Sequence, residues 1–197
     1  IDWFSEGRLE LGLGAGWIQS EYTAMGIPMM SAGKRIDKMV ETLDLIRQHY
    51  SGDQIDLDGE YIKVSGFSGA PTPGKMPPVM IGGGAKRILG IAGQHADIVS
   101  INFNNSAGKI GPEGVGSGTS AGTLQKLEWI EAGAGDRFSE IEIEIAAYFT
   151  VVTDHSDIVA NEFAKLFNLS TSEILDHPHC LIGHTSEIIE RIQQRRE

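Results

Sequence analysis

A short apolar strand that runs directly into a cluster of glycines occurs twice in this chain. The first copy spans residues 7–17, with the sequence GRLELGLGAGW, and the second spans residues 77–87, with the sequence PPVMIGGGAKR. A strand that ends in glycines before a helix brings bare backbone N–H groups up to a ligand, most often a phosphate. The doubled pattern therefore predicts one large ligand that lies across the ends of neighbouring parallel strands.

The order of the predicted elements indicates an α/β protein. The hydrophobic pattern predicts four strands, over residues 9–13, 79–81, 96–102 and 141–152, with helices between them. It predicts that the rest of the chain, after residue 152, is helical. Strands that alternate with helices pair in parallel through crossover connections. Four strands make up about half of a closed (β/α)8 barrel, which needs eight strands and roughly 250 residues. We therefore expect a partial barrel.

Three other segments complete the predicted architecture. Residues 31–50 have the clearest helical periodicity, and residues 53–66 alternate as an inserted β-hairpin. Residues 104–122 are rich in Gly, Ser and Asn, which predicts a long mobile loop that serves as a lid, a binding loop or a disordered segment. We expect residues 1–197 to form one domain.

Composition excludes several classes of partner. The formal charge of −11 argues against a surface for nucleic acid or acidic membranes, because such surfaces are cationic. No apolar run approaches the roughly 20 residues of a membrane-spanning helix, and we predict no signal peptide. The single cysteine, Cys180, cannot form an internal disulfide, so a reducing cytoplasm is the expected location.

The second glycine cluster is the stronger candidate for an anion site. Gly82, Gly83 and Gly84 have no Cβ to block an anion, and Lys86 and Arg87 follow in the first turn of the next helix. Cations there oppose the helix dipole by about 0.3–1 kcal/mol each, and a bound phosphate would reverse that penalty. Three turn glycines followed by two solvated charges are the alternative interpretation. The spacing is neither a Walker A loop nor a dinucleotide fingerprint.

The first glycine cluster has a different pattern. Gly12, Gly14 and Gly16 alternate along the strand, which places them on one face, and Trp17 follows in the turn. A strand face without side chains lets a flat ring or another backbone approach closely. Packing in a barrel interior would explain the same glycines equally well.

One group of residues has the chemistry of metal ligands. Imidazole and thiolate side chains bind zinc, and four of them lie close together in the sequence, namely His177, His179, Cys180 and His184. Their spacing matches no standard zinc finger. Surface loop histidines are the commoner explanation, so we predict no metal site.

The sequence contains no recognisable set of catalytic residues. Neither a Ser-His-Asp nor a Cys-His arrangement can be recognised, and the carboxylates are explained by strand and hairpin polarity. Asn102, Asn104 and Asn105 follow a strand end, where they would either line a ligand cavity or form a turn.

The order and spacing of several motifs closely resemble the luciferase-like monooxygenase superfamily. These motifs are residues 7–17, Glu21-Tyr22, residues 26–28 (GIP), 35–43 (RIDKMVETL), 58–61 (DGEY) and 78–84 (PVMIGGG). The resemblance is strong over residues 1–103 and looser over residues 141–197. Within the superfamily, the chain looks most like the actinobacterial branch assigned to the deazaflavin coenzyme F-420 rather than to FMN.

The resemblance implies a cofactor at the carboxyl ends of barrel strands, with hydride transfer to or from a small-molecule substrate. It implies a homo-oligomeric oxidoreductase or monooxygenase. A non-catalytic flavin-binding or phosphate-binding protein, or a half-barrel assembled with a partner, is the alternative. The phosphate would lie at the second glycine cluster and the ring near the first. The predicted cofactor-binding residues are Gly14, Ala15, Gly16, Trp17, Ser20, Ile81, Gly82, Gly83, Gly84 and Lys86.

Two departures from the family pattern limit what the resemblance implies. The family normally has three strands before the one at residue 9 and a further strand at its end, so we expect an internal fragment, truncated at both ends. Those strands carry much of the ring pocket and the usual acid–base residues. Some deazaflavin members also place a carboxylate where this chain has Trp17. We therefore assign no catalytic residue.

Overall fold

The computed structural model describes residues 1–70 and 74–195. Its strands are β1 (Leu11–Leu13), β2 (Ile55–Asp58), β3 (Lys63–Phe67), β4 (Val79–Gly83), β5 (Ile98–Ile101), β6 (Glu142–Ile145), β7 (Phe149–Val152) and β8 (Cys180–Gly183). Its α-helices are α1 (Asp2–Ser5), α2 (Gln19–Ala24), α3 (Ala32–Ser51), α4 (Lys86–His95), α5 (Pro112–Gly116), α6 (Ser120–Ala134), α7 (Ser156–Phe167), α8 (Thr171–Asp176) and α9 (Thr185–Gln194). A 3-10 helix, Gly135–Glu140, follows α6. Within the described ranges, no helix is long and apolar enough to cross a membrane.

Four parallel strands form the main sheet, in the order β1-β4-β5-β6. Each neighbouring pair is parallel, with Leu11 opposite Val79, Met80 opposite Ile98, and Ile98 opposite Glu142. The carboxyl ends of all four strands therefore lie at one edge of the sheet. The predicted α/β architecture with crossover helices is confirmed, and the sheet is part of a barrel.

The strand predicted over residues 141–152 is two strands that belong to two sheets. β6 pairs with β5, whereas β7 pairs in parallel with β8 in a separate sheet. Between them, the Ala146 carbonyl accepts hydrogen bonds from the Tyr148 N–H (3.1 Å) and from Nδ1 of His179 (2.8 Å). The prediction of one strand was wrong because this turn occupies a carbonyl that a continuous strand would pair with a neighbouring strand.

β8 contradicts the prediction that everything after residue 152 is helical. All four of its residues, Cys180–Gly183, are buried, so the segment has no alternation of apolar and polar side chains. A short apolar run of this kind cannot be distinguished from a buried helical segment by its period. With β7 and β8, the described chain has six parallel strands instead of four.

The inserted hairpin is confirmed and is attached to α3 by one carboxylate. β2 and β3 are antiparallel, and residues 59–62 connect them. The Glu41 side chain on α3 accepts hydrogen bonds from the backbone N–H groups of Glu60, Tyr61 and Ile62 at 2.8–2.9 Å. These three bonds hold the hairpin connection against the helix.

The loop predicted over residues 104–122 is shorter than expected, because α5 and the first turn of α6 lie within it. Val115 is fully buried, and a Cβ on Gly118 would lie 2.7 Å from the Phe103 ring. The small residues that suggested mobility therefore allow the segment to pack closely around Phe103. Outside the two helices, residues 102–111 are irregular and residues 117–119 form a short turn.

Two hydrophobic clusters hold these elements together. The first packs the main sheet against α3, α4 and α6, and its fully buried members include Ile81, Leu89, Val99, Ile101 and Ile130. The second packs β7 and β8 against α7 and α8. The predicted helix over residues 31–50 is confirmed as α3, which begins after the capping side chain of Ser31 and ends at Gly52 in a left-handed conformation (φ 82°). The first cluster fixes β4 and β5, and thereby fixes the loops at their carboxyl ends.

Candidate functional site

A cleft of about 450 Å³ lies at the carboxyl ends of β1, β4 and β5. Its floor is formed by the two glycine clusters, residues 14–17 after β1 and residues 82–84 at the end of β4. Because β1 and β4 are neighbours in the sheet, the two sequence motifs meet in space. Ligand sites in parallel α/β folds lie at this edge of the sheet.

The first glycine turn is held by Arg35. Gly16 has a left-handed backbone (φ 72°), which favours glycine, and its carbonyl accepts a hydrogen bond from Nε of Arg35 at 3.1 Å. Nη1 of the same guanidinium donates to the Met30 carbonyl. A Cβ on Gly14 would have no atom within 4 Å, so the cleft floor is open at that residue.

The second glycine cluster serves two purposes. A Cβ on Gly83 would lie 2.5 Å from Cγ2 of Ile88, and one on Gly84 would lie 2.1 Å from the Phe103 carbonyl oxygen. These two glycines are therefore required by the packing of α4 and of the loop after β5, whatever else they do. Gly82 is less crowded, since an added Cβ would lie 3.2 Å from the Asn102 amide nitrogen and only that side chain would have to shift.

Helix α4 begins at the cleft without a side-chain cap. Its N-cap residue, Ala85, offers no hydrogen-bonding side chain, whereas Ser31 caps α3 and Thr119 caps α6. Free N–H groups at a helix N-terminus attract anions. Arg87, in the first turn, forms an ion pair with Asp37 of α3 at 2.5 Å, which offsets the unfavourable placement of its charge.

Seven of the ten predicted cofactor-binding residues line the cleft, and three do not. The seven are residues 14–17 and 82–84. Ile81 is fully buried in the first hydrophobic cluster, and Ser20 and Lys86 are exposed outside the cleft lining.

Sequence reasoning missed Arg35, Phe103 and Tyr148 as cleft residues. Arg35 is the one charged side chain among the described residues of the lining. In a chain of net charge −11, a lining with one cation and no carboxylate favours an anionic ligand. Asn102, Asn104 and Asn105, which sequence left open, do line the cleft.

An aromatic wall closes the side of the cleft beside β5 and β6, and it consists of Phe103, Tyr148, His177 and His179. Phe103 lies 4.5 Å from the His179 ring and 5.2 Å from the Tyr148 ring, measured between centroids. The Tyr148 and His179 rings are stacked, 5.5 Å apart and at 15°. Tyr148 lines the cleft because the turn at Ala146 separates β6 from β7 just before it.

The two histidines of the wall are buried, which corrects the expectation that they lie on the surface. Both have no exposed area, and His177 Nε2 contacts the Val115 carbonyl at 3.0 Å. Burial lowers the pKa of both imidazoles, to about 4 for His179, so they are neutral at neutral pH. Among the described residues, no group of three or more His, Cys, Asp or Glu side chains is placed to hold a metal ion.

A buried lysine supports the wall from behind. Lys126 of α6 is 2% exposed, and its Nζ donates a hydrogen bond of 2.8 Å to the Asn102 carbonyl. Burial lowers the pKa of Lys126 to about 8. The ammonium group therefore holds the chain where it leaves β5 and enters the cleft.

The sequence matches one family model and several curated relatives. The family model described as luciferase-like monooxygenase matches residues 1–196. An F-420-dependent hydroxymycolic acid dehydrogenase of Mycobacterium tuberculosis is 31% identical over 91 residues, which are 46% of this chain and 25% of the relative. Pyrimidine monooxygenase RutA of Methylorubrum extorquens is 27% identical over 163 residues, 81% of this chain and 40% of the relative.

Solved structures share the fold. An F-420-dependent secondary alcohol dehydrogenase, in complex with an F-420–acetone adduct, superposes with a TM-score of 0.70 at 18% identity. The superposition covers 99% of this chain and 62% of the dehydrogenase chain. The coenzyme F-420-dependent tetrahydromethanopterin reductase of Methanopyrus kandleri superposes with a TM-score of 0.66 at 17% identity over 98% of this chain and 66% of its own.

The matched segments span 25–41% of the lengths of the curated relatives. The family match nevertheless extends over nearly the whole of this chain. With its parallel sheet and its cleft at the strand ends, the chain belongs to the luciferase-like monooxygenase family.

Proposed function

We propose that this chain carries the cofactor cleft of an oxidoreductase that transfers hydride between F-420 and an organic substrate, with FMN as the alternative cofactor. The observation that carries the proposal is the meeting of both glycine turns in one cleft at the strand ends. One relative whose name includes F-420 and one whose name includes FMNH2 support a flavin-type cofactor. The M. tuberculosis relative favours F-420.

The residues present fit such a cofactor. A flavin-type cofactor combines a flat ring with a phosphate-bearing chain. The open floor at Gly14 would admit a flat group, since a side chain there would project into the cleft. Arg35 and the uncapped N-terminus of α4 offer a positive charge and N–H donors for a phosphate.

Roles for this chain's residues follow from that fit. Arg35 fixes the first glycine turn through the Gly16 carbonyl and supplies positive charge to the cleft. The apolar side chains of Ile110 and Phe103 also line the cleft. A bound flavin-type ring supplies the hydride chemistry, and the protein supplies orientation and electrostatics.

We also propose that the protein acts as a homo-oligomer in the cytoplasm. In the described part of the chain β1 pairs only with β4, and an unpaired strand edge tends to pair with another chain. The same edge supports the alternative of a half-barrel that is completed by a partner. A reducing location is supported by the single cysteine, Cys180, which is buried.

Equilibrium titration of the 197-residue chain with F-420 and with FMN, followed by ligand fluorescence, tests the proposal. We expect tighter binding of F-420 than of FMN. Tighter binding of FMN would select the alternative cofactor, and binding of neither would contradict the proposal. Sedimentation at several concentrations tests the oligomer, and a monomer throughout would argue against edge pairing.

A further inference from the structure

We propose that Tyr148 and Asn102 form an uncharged hydrogen-bonding subsite in the cleft that recognises a neutral oxygen, a carbonyl or a hydroxyl, on the substrate. The inference rests on the proposed function in taking this cleft as the reaction site. Tyr148 follows β6, at the edge of the sheet opposite β1 and its glycine turn. The subsite therefore lies in the same cleft as the Gly16 turn, but toward the opposite end of the strand order.

The two side chains are joined by one hydrogen bond of defined direction. Nδ2 of Asn102 donates to the Ser100 carbonyl at 3.1 Å, which can only accept. The amide oxygen Oδ1 of Asn102 therefore faces Tyr148, and the phenol donates to it at 2.5 Å. When the phenol turns away from Asn102, its O–H becomes a donor and Oδ1 of Asn102 becomes an acceptor at the cleft surface.

Asn102 is fixed from two further directions. Its N–H donates to the Gly83 carbonyl at 2.8 Å, and its own carbonyl accepts from Nζ of Lys126 at 2.8 Å. Strand β4, helix α6 and the aromatic wall therefore all hold this residue. With its backbone held in this way and its side chain bonded to the Ser100 carbonyl, Asn102 is suited to recognition, because little conformational freedom is lost when a ligand binds.

Tyr148 is supported on one face and accessible on the other. Its ring stacks on His179, which has no exposed area and whose Nδ1 donates to the Ala146 carbonyl at 2.8 Å. The tyrosine itself is 51% exposed and lines the cleft. Its hydroxyl can leave Asn102 and donate to a ligand oxygen without movement of the backbone.

The charges around the pair favour a neutral ligand group. Burial and the charge of Glu144 raise the pKa of Tyr148, so the phenol stays a donor at neutral pH. A carboxylate here would be repelled by Glu144, and the Lys126 ammonium is already bonded to a backbone carbonyl. An ammonium group would be attracted by Glu144 but would face the Lys126 ammonium, and the described residues of the cleft lining include no carboxylate to pair with it.

Binding of three probes with the same ring tests the assignment without F-420. Cyclohexanone, cyclohexanecarboxylate and cyclohexylammonium are titrated into the full chain labelled with ¹³C-tyrosine, and NMR reports the Tyr148 signal. We expect cyclohexanone to bind most tightly and to shift that signal. Tyr148→Phe should weaken cyclohexanone binding by about three- to tenfold, since it removes one hydrogen bond and keeps the ring.

Tyr50→Phe is the matched control, because Tyr50 lies on α3 outside the cleft lining. Its affinity for cyclohexanone should equal that of the wild type. Three outcomes would each overturn the subsite. They are equal affinities of the wild type and Tyr148→Phe for cyclohexanone, tighter binding of either charged probe, and no binding of cyclohexanone. Loss of F-420 and FMN binding alone would contradict the proposed function and leave this result standing.

Discussion

The glycine turns and the aromatic wall form two sides of one cleft, and they are built in opposite ways. Each glycine turn is a contiguous segment, residues 14–17 or 82–84, positioned by a single strand. The aromatic wall brings together side chains from three distant parts of the chain, at Phe103, Tyr148 and the His177–His179 segment. The glycine turns therefore depend on local backbone geometry, whereas the aromatic wall depends on correct tertiary packing.

Substitution of Gly84 should give the largest effect, because this residue joins the two sides. In Gly84→Ala the new Cβ would lie 2.1 Å from the Phe103 carbonyl oxygen, which is backbone and cannot move aside. We expect a loss of about 3 kcal/mol or more in the free energy of unfolding, measured by urea denaturation. Gly14→Ala is the control, since nothing lies within 4 Å of its added Cβ. It should change stability by less than about 1 kcal/mol, and equal losses in both variants would refute this account.

Acid should weaken the aromatic wall more than the glycine turns. Burial lowers the pKa of His179 to about 4 in the folded protein, whereas the pKa of an unfolded histidine is about 6.5. The unfolded chain therefore binds more protons between these values, and stability falls as the pH is lowered through them. Each such group contributes roughly 1.4 kcal/mol per pH unit.

Urea denaturation between about pH 7 and pH 4.5 measures this slope. We expect His179→Gln to have a shallower dependence on pH than the wild type, because glutamine does not titrate. His155→Gln, which alters an exposed histidine, is the control and should retain the wild-type slope. Identical slopes in all three proteins would contradict the buried, neutral state of His179.

The cations near the glycine turns should differ in their effect on cofactor binding. Arg35 lines the cleft, whereas Arg87 is half-exposed in an ion pair with Asp37. We expect Arg35→Gln to weaken F-420 binding by about tenfold, the value of one charge-assisted hydrogen bond. Arg87→Gln should change affinity by less than about twofold and stability by less than about 1 kcal/mol. A larger loss in Arg87→Gln than in Arg35→Gln would reverse the assignment.

The difference between the glycine turns and the aromatic wall explains how much of the structure the sequence could predict. The strand-glycine-helix pattern correctly predicted β1, β4 and the meeting of residues 14–17 with 82–84, because both features follow from local backbone geometry. The helix α3 and the hairpin followed from hydrophobic periodicity. Each of these elements is determined by the sequence of a short segment.

The aromatic wall could not be predicted from such local signals. The turn at Ala146 interrupts an apolar run that reads as one strand, and β8 is too short and too uniformly apolar to show a period. The burial of His177 and His179 depends on Phe103 and on the small residues around it, which lie more than fifty residues earlier. Arg35 was visible as part of a helical motif, but its bond to the Gly16 carbonyl is a tertiary contact.

The central claim is that the glycine-lined floor is where a flavin-type cofactor binds, and Gly14→Val tests it most directly. Gly14 lines the cleft and an added Cβ there would meet no protein atom within 4 Å, so we expect the valine to occupy the cleft without disturbing the fold. The account predicts that affinity for F-420, or for FMN if that is the cofactor bound, falls by at least about tenfold, while the unfolding midpoint changes by no more than about 3 °C. Unchanged affinity in a folded Gly14→Val protein would contradict it.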